Sequence, residues 1–596
     1  MQSINDSSAN RRGTIPPLQN SRSSFHRDYI QSPLRSIARA FLPSAAAILT
    51  LLLSTASSSF AGSATWKASA ANDEWFDMNN WVQRTIPNSP GDTATFASSN
   101  RTSIDIFAFD MELNGIVFNP GASAFTIATN LQATTLQLII SGVGITNNSE
   151  VVQNFVLTND GTQMEFLNSA TAGSLTVFTG GQITFGGTST AGNATFNNNI
   201  SITFTNDATA GDATFNIIDG AVLFFDGTST AGNGTFNNPG FIQFGENPFD
   251  AATAGNGTFT NPGSAASTLG GGFIVFHFGT AGDATFINDG ATANGGIAGE
   301  TLFQDTGDAG NAVLIANGGV GGGDGGSIQF ATASTGGTAR VEVFGNGNLD
   351  ISLHDAPGVT IGSIQGNGAV FLGAHNLTVG TNNLGTTFSG LIQDGGSGGG
   401  TGGSLTKAGS GKLTLTKSNT YTGGTTITKG TLLVTNRSGS ATGTGSVQVN
   451  AGTLGGTGRI SGAATIGTAA GTATSAATLA PGNGAQLGAL TLLNTLTFNS
   501  RATYKVNLNS NAATGAQVVA TSVKINSGAL VSISDLGTAR LPSGTVLTII
   551  NNTATTPIAG TFSNLADGSR LIVGGNTFQA NYRGGDGNDL TLTVVP

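Results

Sequence analysis

The side chains that most often carry catalysis are few in this sequence and widely separated. The 596-residue chain has no Cys, which removes thiol nucleophiles, disulfides and Cys-based metal sites. Its four histidines, His26, His277, His354 and His375, nowhere come close enough in sequence to suggest a ligand pair. A β-helical polysaccharide lyase or hydrolase needs clustered carboxylates, often with a cation and a basic group for proton transfer. The acids here are scattered singles (Asp207, Asp212, Asp226, Glu246, Asp250, Asp283), with no Lys or Arg among them. Residues 395–399, GGSGG, satisfy G-x-S-x-G inside a glycine run, where a nucleophile would need a strand–turn–helix elbow. Gly411-Lys412 resembles the end of a phosphate loop, but Leu413 stands where Ser or Thr is required. Residues 584–589, GGDGND, match a single copy of a calcium-binding nonapeptide, whose coordination needs adjacent copies, so a turn before a last strand is the better reading. The expectation is no catalytic residue, no cofactor, no metal and no enzyme.

One binding candidate survives. Trp66, Trp75 and Trp81, the only tryptophans, lie within ATWKASAANDEWFDMNNWVQ and could present a glycan-binding patch. The competing reading is an N-terminal cap that covers the first coil of a repeat structure, and we favour it because a solenoid needs one. The other aromatic residues point the same way: 35 Phe against 4 Tyr, where a sugar-stacking surface would favour rings with a polar edge.

The elements that hold these residues announce themselves by repetition. A heptad of TAG type begins at Thr171, Thr190, Thr209, Thr230, Thr253 and Thr280, with weaker copies at Asp308 and Thr335, at offsets of 19, 19, 21, 23, 27, 28 and 27 residues. A second apolar alternation follows each turn, as in Ile183-Thr184-Phe185 and Ile242-Gln243-Phe244. Such a unit cannot bury its apolar side alone. Stacked coils with parallel strands about 4.8 Å apart can do so, and uneven offsets are absorbed at corners. In TAGNGTF the pattern puts Ala231, Gly234 and Phe236 inside. At the fourth heptad position Asn alternates with Asp, which suits a left-handed turn residue. With 90 Gly and only 9% charged residues, long helices are excluded and an all-β solenoid is expected.

Charge and the N-terminus bound the setting. Six arginines precede the apolar run 41–53, and Ser59-Phe60-Ala61 offers a small-x-small cleavage pattern, with the cut expected between Ala61 and Gly62. The run is too short to anchor the chain in a bilayer. Removal of this leader leaves 16 basic and 30 acidic residues, and no Lys or Arg lies between Arg101 and Arg340. Nucleic acid and anionic lipid are therefore not expected partners of that region.

Residues 405–434, LTKAGSGKLTLTKSNTYTGGTTITKGTLLV, resemble the autotransporter-associated β-strand repeat of large exported bacterial surface proteins. The positions that carry the likeness are Leu405, Lys407, Gly409, Gly411, Leu413, Leu415, Asn419, Tyr421, Gly423, Thr425, Gly430 and Leu432. Its usual surroundings extend the resemblance over roughly 360–596, ending in a passenger-like 562–595. The heptads lie outside that motif and are read from their period alone. The resemblance implies a right-handed parallel β-helix passenger, exported to the cell surface or outer membrane of a bacterium or to the medium, with the periplasm as alternative. It brings no catalytic residues. The sequence to Pro596 shows no run of barrel strands with aromatic girdles, which leaves free secretion, periplasmic retention or a separate export or anchoring partner as the alternatives. The expected organisation is a signal peptide with leader at 1–61, an N-terminal cap at 62–100, and a β-helix with TAG-type coils at 101–390. A Gly/Ser-rich turn or linker at 391–404, the repeat with following coils at 405–500, and a C-terminal β-rich cap at 501–596 complete it. The function expected is an exported non-enzymatic scaffold, adhesin or stalk whose partners are extracellular glycans or other surface proteins. The alternatives are a secreted polysaccharide hydrolase or lyase and a tryptophan-centred glycan-binding module.

Overall fold

Alternation of Thr or Asn with Phe or Ile is what a strand with one buried face requires, because successive side chains point to opposite sides. The computed structural model describes residues 62–596 apart from 108–109, 130–135, 159–160, 267–269, 469–475 and 485. The leader and Ala61 of the expected cleavage site lie outside the described residues, as does the signal peptide as a whole. Among the described residues all regular elements are strands except the single 3-10 turn Met78–Asn80, whose first turn is capped by the Asp77 carboxylate. No described helix is long and apolar enough to cross a membrane.

The strands stack as a parallel solenoid. One side is a 15-stranded sheet that runs from Ala64–Thr65 to Leu391–Gln393. Its register puts like on like: Phe185 pairs with Phe204, then Phe225, Phe244 and Phe276. The second side does the same with Phe178, Phe196, Phe215, Phe236, Phe259 and Phe286. These rings are fully or almost fully buried and repeat at the strand spacing, as between Phe236 and Phe259, 4.3 Å apart and 4° from parallel. The two ladders meet edge to face, Phe225 against Phe236 at 6.0 Å and 78°. Each fully buried Phe contributes about 1.5–3 kcal/mol of transfer free energy. Offset stacking within a ladder and T-shaped contact between ladders are both favoured ring geometries. A one-residue slip would turn every ring outward, so the register is strongly fixed.

Uneven heptad spacing resolves into corners of unequal length. Two residues join Asn193–Asn198 to Ser201–Phe204, whereas eleven join Thr258–Asn261 to Phe273–Phe276 and eleven join Thr285–Asn288 to Glu300–Phe303. The strands stay in register while the corners grow.

Beyond Thr360 the coil is rebuilt. Strand Thr360–Gly366 pairs with both Asn376–Val379 and Thr386–Phe388, and two ladders continue from these through the segment 405–434. The glycine-rich stretch 391–404 opens with the last strand of the large sheet, and its loop is tied down. Ser397 N–H donates to Asp350 Oδ2 at 2.8 Å, Gly398 N–H to Ser352 Oγ at 2.8 Å and Gly403 N–H to Asp394 Oδ1 at 3.0 Å. It is a fixed corner between coils, not a flexible linker. At the far end Val546–Asn552 pairs antiparallel with Asp589–Val594, which pairs with Asn576–Gly584. This reversal covers strand edges that a parallel stack would leave open.

Candidate functional site

The repeated heptad builds a corner. Thr190, Thr209, Thr230, Thr253 and Thr280 bridge one another in parallel from coil to coil. Each Thr Oγ1 accepts the N–H of the Gly two residues on, at 3.0 Å for Thr230 and Gly232. Gly232 has φ 60°, and a Cβ there would stand 2.7 Å from the Gly211 carbonyl oxygen. Glycine is required at this position by both conformation and space. Ala231, Gly234 and Phe236 are inside as the pattern predicts. The fourth position is corrected. Asn233 and Asp212 are not left-handed; that conformation belongs to the preceding Gly. They are exposed and form a rung between coils, Asn233 Nδ2 donating to Asp212 Oδ1 at 2.9 Å and Asn256 Nδ2 to Asn233 Oδ1 at 3.1 Å. Asp serves there because it only needs to accept.

The tryptophans form no open patch. Trp66, Trp75 and Trp81 are 1%, 0% and 0% exposed, packed edge to face at 5.0–5.1 Å and closed over Phe96. Their indole N–H groups donate to the carbonyls of Arg101, Pro87 and Trp75. Neither a ring face nor an N–H is left for a sugar, so the glycan-contact reading of Trp66, Trp75 and Trp81 is not carried further. Gly62, the described half of the expected cleavage site, lies two residues before the start of the first strand, Ala64–Thr65.

In residues 405–434 the motif side chains hold coils together. Leu405, Leu413, Leu415, Tyr421 and Leu432 are buried to within 1%. Asn419 spans two neighbours, accepting the Ile392 N–H at 2.8 Å and donating to the Ala441 carbonyl at 2.5 Å. The Tyr421 hydroxyl meets Thr425 Oγ1 at 2.6 Å, and burial pushes its pKa above the usual phenol range. Lys407 is the unexpected member. It is 1% exposed, and its ammonium donates to the carbonyls of Ala408, Gly409 and Lys429. Three donors meet three acceptors, while desolvation pulls its pKa down to about 8. Gly430 makes room, since a Cβ there would lie 2.9 Å from Nζ.

Two of the motifs weighed in the sequence fall in a corner and a turn. Ser397 sits in the tied corner. Residues 584–589 join Asn576–Gly584 to Asp589–Val594 as a turn in which Gly587 N–H donates to the Gly584 carbonyl. No group of three His, Cys, Asp or Glu able to hold a metal occurs among the described residues. Three acids meet at the corner after Phe241–Phe244. There Asp250 accepts the N–H groups of Gly227 and Asn247, and Glu246 and Asp226 lie close by. Burial, then the charges of Asp250 and Glu246, push Asp226 up to about 6. Sequence spacing separates Asp226 from Asp250 by a whole coil, so this meeting was not readable before folding.

Residues 405–434 match the family model of the passenger-associated-transport-repeat. The chain carries a passenger repeat. The matched residues are the 30 that carry the sequence resemblance, and in this chain the repeat is one part of a longer solenoid. No curated protein matches the sequence. Among solved structures the chain is similar to the crystal structure of the Haemophilus influenzae Hap adhesin, at 11% identity and a TM-score of 0.35. That likeness covers 87% of this chain and 65% of the other. The solenoid is established by the strand pairing itself.

Proposed function

We propose that this chain is an exported, non-enzymatic β-solenoid of the bacterial cell surface or matrix, working as a scaffold, adhesin or stalk. The supporting observation is a passenger repeat whose motif residues are spent on holding coils together, within a stack whose register runs through both its sheets. Such a stack gives length and a long lateral surface, which are what display and attachment require. Extracellular glycans and other surface proteins are the partners proposed.

A second reading has one observation behind it. Asp226, held near pH 6 beside two carboxylates, has the protonation behaviour of a general acid and would suit a polysaccharide hydrolase. No Lys or Arg between Arg101 and Arg340 is there to assist it. Incubation of the mature chain with a polysaccharide panel separates the readings: retention without product is expected, and new reducing ends that vanish in Asp226→Asn would overturn the non-enzymatic proposal. Surface labelling and protease shaving of intact cells test the location, with accessibility expected.

A further inference from the structure

From residue 395 to residue 534 the chain carries nine Lys and Arg and not one Asp or Glu. No carboxylate of these coils is there to neutralise them. Lys412, Lys417, Lys429 and Arg437 are exposed and Arg459 is half-buried, and these five make no ion pair among the described residues. They gather around one face. Strands Lys412–Leu415, Thr431–Val434, Gly452–Gly456, Ala477–Pro481 and Ala502–Asn509 are successive rungs of one ladder. On its entry side Lys412 pairs in register with Thr431. Gly430, next to Lys429, lies so close to Gly409 and Gly411 that a Cβ would stand 2.4 and 2.5 Å from their carbonyl oxygens. On the exit side Lys417, Arg437 and Arg459 follow the ends of three successive rungs. Ser418 Oγ donates to the Ser438 carbonyl and Arg459 N–H to Asn436 Oδ1 at 2.8 Å, so the three corner segments lie side by side.

Between these borders runs a row of hydroxyls. The residue in register with Lys412 is, rung after rung, Thr431, Thr453, Thr478 and Thr503. All four are partly exposed and follow one another at the strand spacing of about 4.8 Å. None of their Oγ1 atoms has a hydrogen bond among the described residues, whereas Thr406 Oγ1, on the neighbouring ladder, is taken up by Asn376 at 2.9 Å. Gly455 and Ala480, beside the row, are too small to cover it. The face therefore offers fixed positive charge and free hydroxyls, which calls for a polyanion. Single-stranded nucleic acid is held by stacking bases on aromatic rings, but the aromatic residues of 395–534, Tyr421, Phe498 and Tyr504, are all in the core. An anionic bilayer is held by apolar side chains beside the cations, and no large apolar side chain is exposed among the described residues of 405–481. A hydroxyl both donates and accepts, so the row suits a ligand that is itself rich in hydroxyls.

We infer that the threonine row, bordered by Lys412 and Lys429 on one side and by Lys417, Arg437 and Arg459 on the other, binds an acidic polysaccharide laid along the solenoid axis. Its carboxylates reach the cations of either border, where an arginine takes a carboxylate with two parallel N–H donors. Its hydroxyls exchange hydrogen bonds with the threonines. A repeating ligand on a repeating row gains the same contact again with each coil, and every contact after the first forms at high effective concentration. Residues 102–339, with 18 Asp and Glu and no Lys or Arg, repel the same ligand and confine it to this part of the stack. The inference rests on the proposed partnership with extracellular glycans and narrows it to their acidic members.

Titration calorimetry on the mature chain tests it with four probes: polygalacturonate, neutral dextran, a DNA duplex and phosphatidylglycerol vesicles. Polygalacturonate is expected to bind about tenfold more tightly than any other probe, and to weaken as salt screens the cations. Lys417→Gln/Arg437→Gln is expected to lower its affinity about tenfold and Thr453→Val/Thr478→Val about threefold. Lys524→Gln, exposed on a different ladder, is expected to leave it unchanged. Full binding by the Lys417/Arg437 variant, or an equal loss in Lys524→Gln, would overturn the site. Unchanged binding by the threonine variant would leave only a charge effect and overturn the proposal, as would tighter binding of the duplex or the vesicles. Binding of dextran but not of polygalacturonate would keep the glycan partnership and overturn this site, whereas binding of neither would remove both. Concentration-dependent self-association of the unmodified chain, abolished by Lys417→Gln/Arg437→Gln, would assign the face to the acidic coils of a second copy and overturn it too. Unchanged circular dichroism and unfolding midpoint of each variant show that the fold is kept.

Discussion

The coils around residues 182–303 and those of 404–481 are both parallel stacks, yet they solve the problem of register differently. In the first, one residue type repeats: two ladders of Phe run through the core, and a buried amide ladder beside them links Asn238, Asn261 and Asn288 at 2.9 and 2.7 Å. In the second, the core is aliphatic, as in Leu413, Leu432, Leu454 and Leu479. Aliphatic side chains have no preferred stacking angle. Register there rests on specific polar members, Asn419 between coils and Lys407 in its carbonyl cage. Charge divides along the same line, with 12 Lys and Arg against 4 acids in 405–596. A ladder that fixes itself tolerates corners of two or eleven residues. A stack pinned by particular side chains needs a defined motif, and it is the second region that matches a family model.

Breaking a ladder should have the largest effect. Phe236→Ala removes a fully buried ring from the middle of a stack and is expected to cost about 3–5 kcal/mol, with Leu432→Ala at the lower end of about 2–5 kcal/mol. Urea midpoints and slopes for the two variants compare them. Equal losses would mean that ring stacking adds nothing beyond burial.

Next come the corners that let the ladder repeat. Gly232→Ala forces a Cβ to 2.7 Å from a carbonyl oxygen at a positive φ, and a loss of about 1–3 kcal/mol is expected. Gly91→Ala is the control, since a Cβ there meets nothing within 4 Å. The contrast between their melting temperatures sharpens the comparison; a similar melting temperature would remove the argument for glycine at the heptad corner.

The smallest effect concerns pH. Lys407 has a folded pKa of about 8, below the ordinary lysine value of 10.5. Between those values the unfolded chain binds more protons, so this group's contribution to stability is present at high pH and is lost as pH falls through about 8. The unmodified chain should therefore gain stability from pH 7 to 10 relative to Lys407→Met. Parallel pH profiles of the two, followed by denaturant midpoint, would show that the carbonyl cage fully offsets burial.

Much of this molecule is legible in its residues because a solenoid is nearly one-dimensional. Period-two alternation fixes which side of each strand is buried, and recurrence at 19–28 residues fixes that like stacks on like. Ala231, Gly234 and Phe236 could be placed inside from TAGNGTF alone, and the tryptophans could be suspected as a cap. What the sequence left open depends on contacts between coils. Whether the indoles face sugar or pack on Phe96 is decided by what closes over them. That Asn233 reaches Asp212, and that Lys407 is caged by carbonyls of its own and the following coil, depends on atoms about one coil apart. Asp226 meets Asp250, and Phe224 meets Phe241, only because the stack brings residues some twenty positions apart to one strand spacing. Sequence alone determined the repeating core, since burial there is a local choice made again in every coil. Tertiary structure alone decided the outer surface, since a face built from successive coils exists only once they are stacked in register.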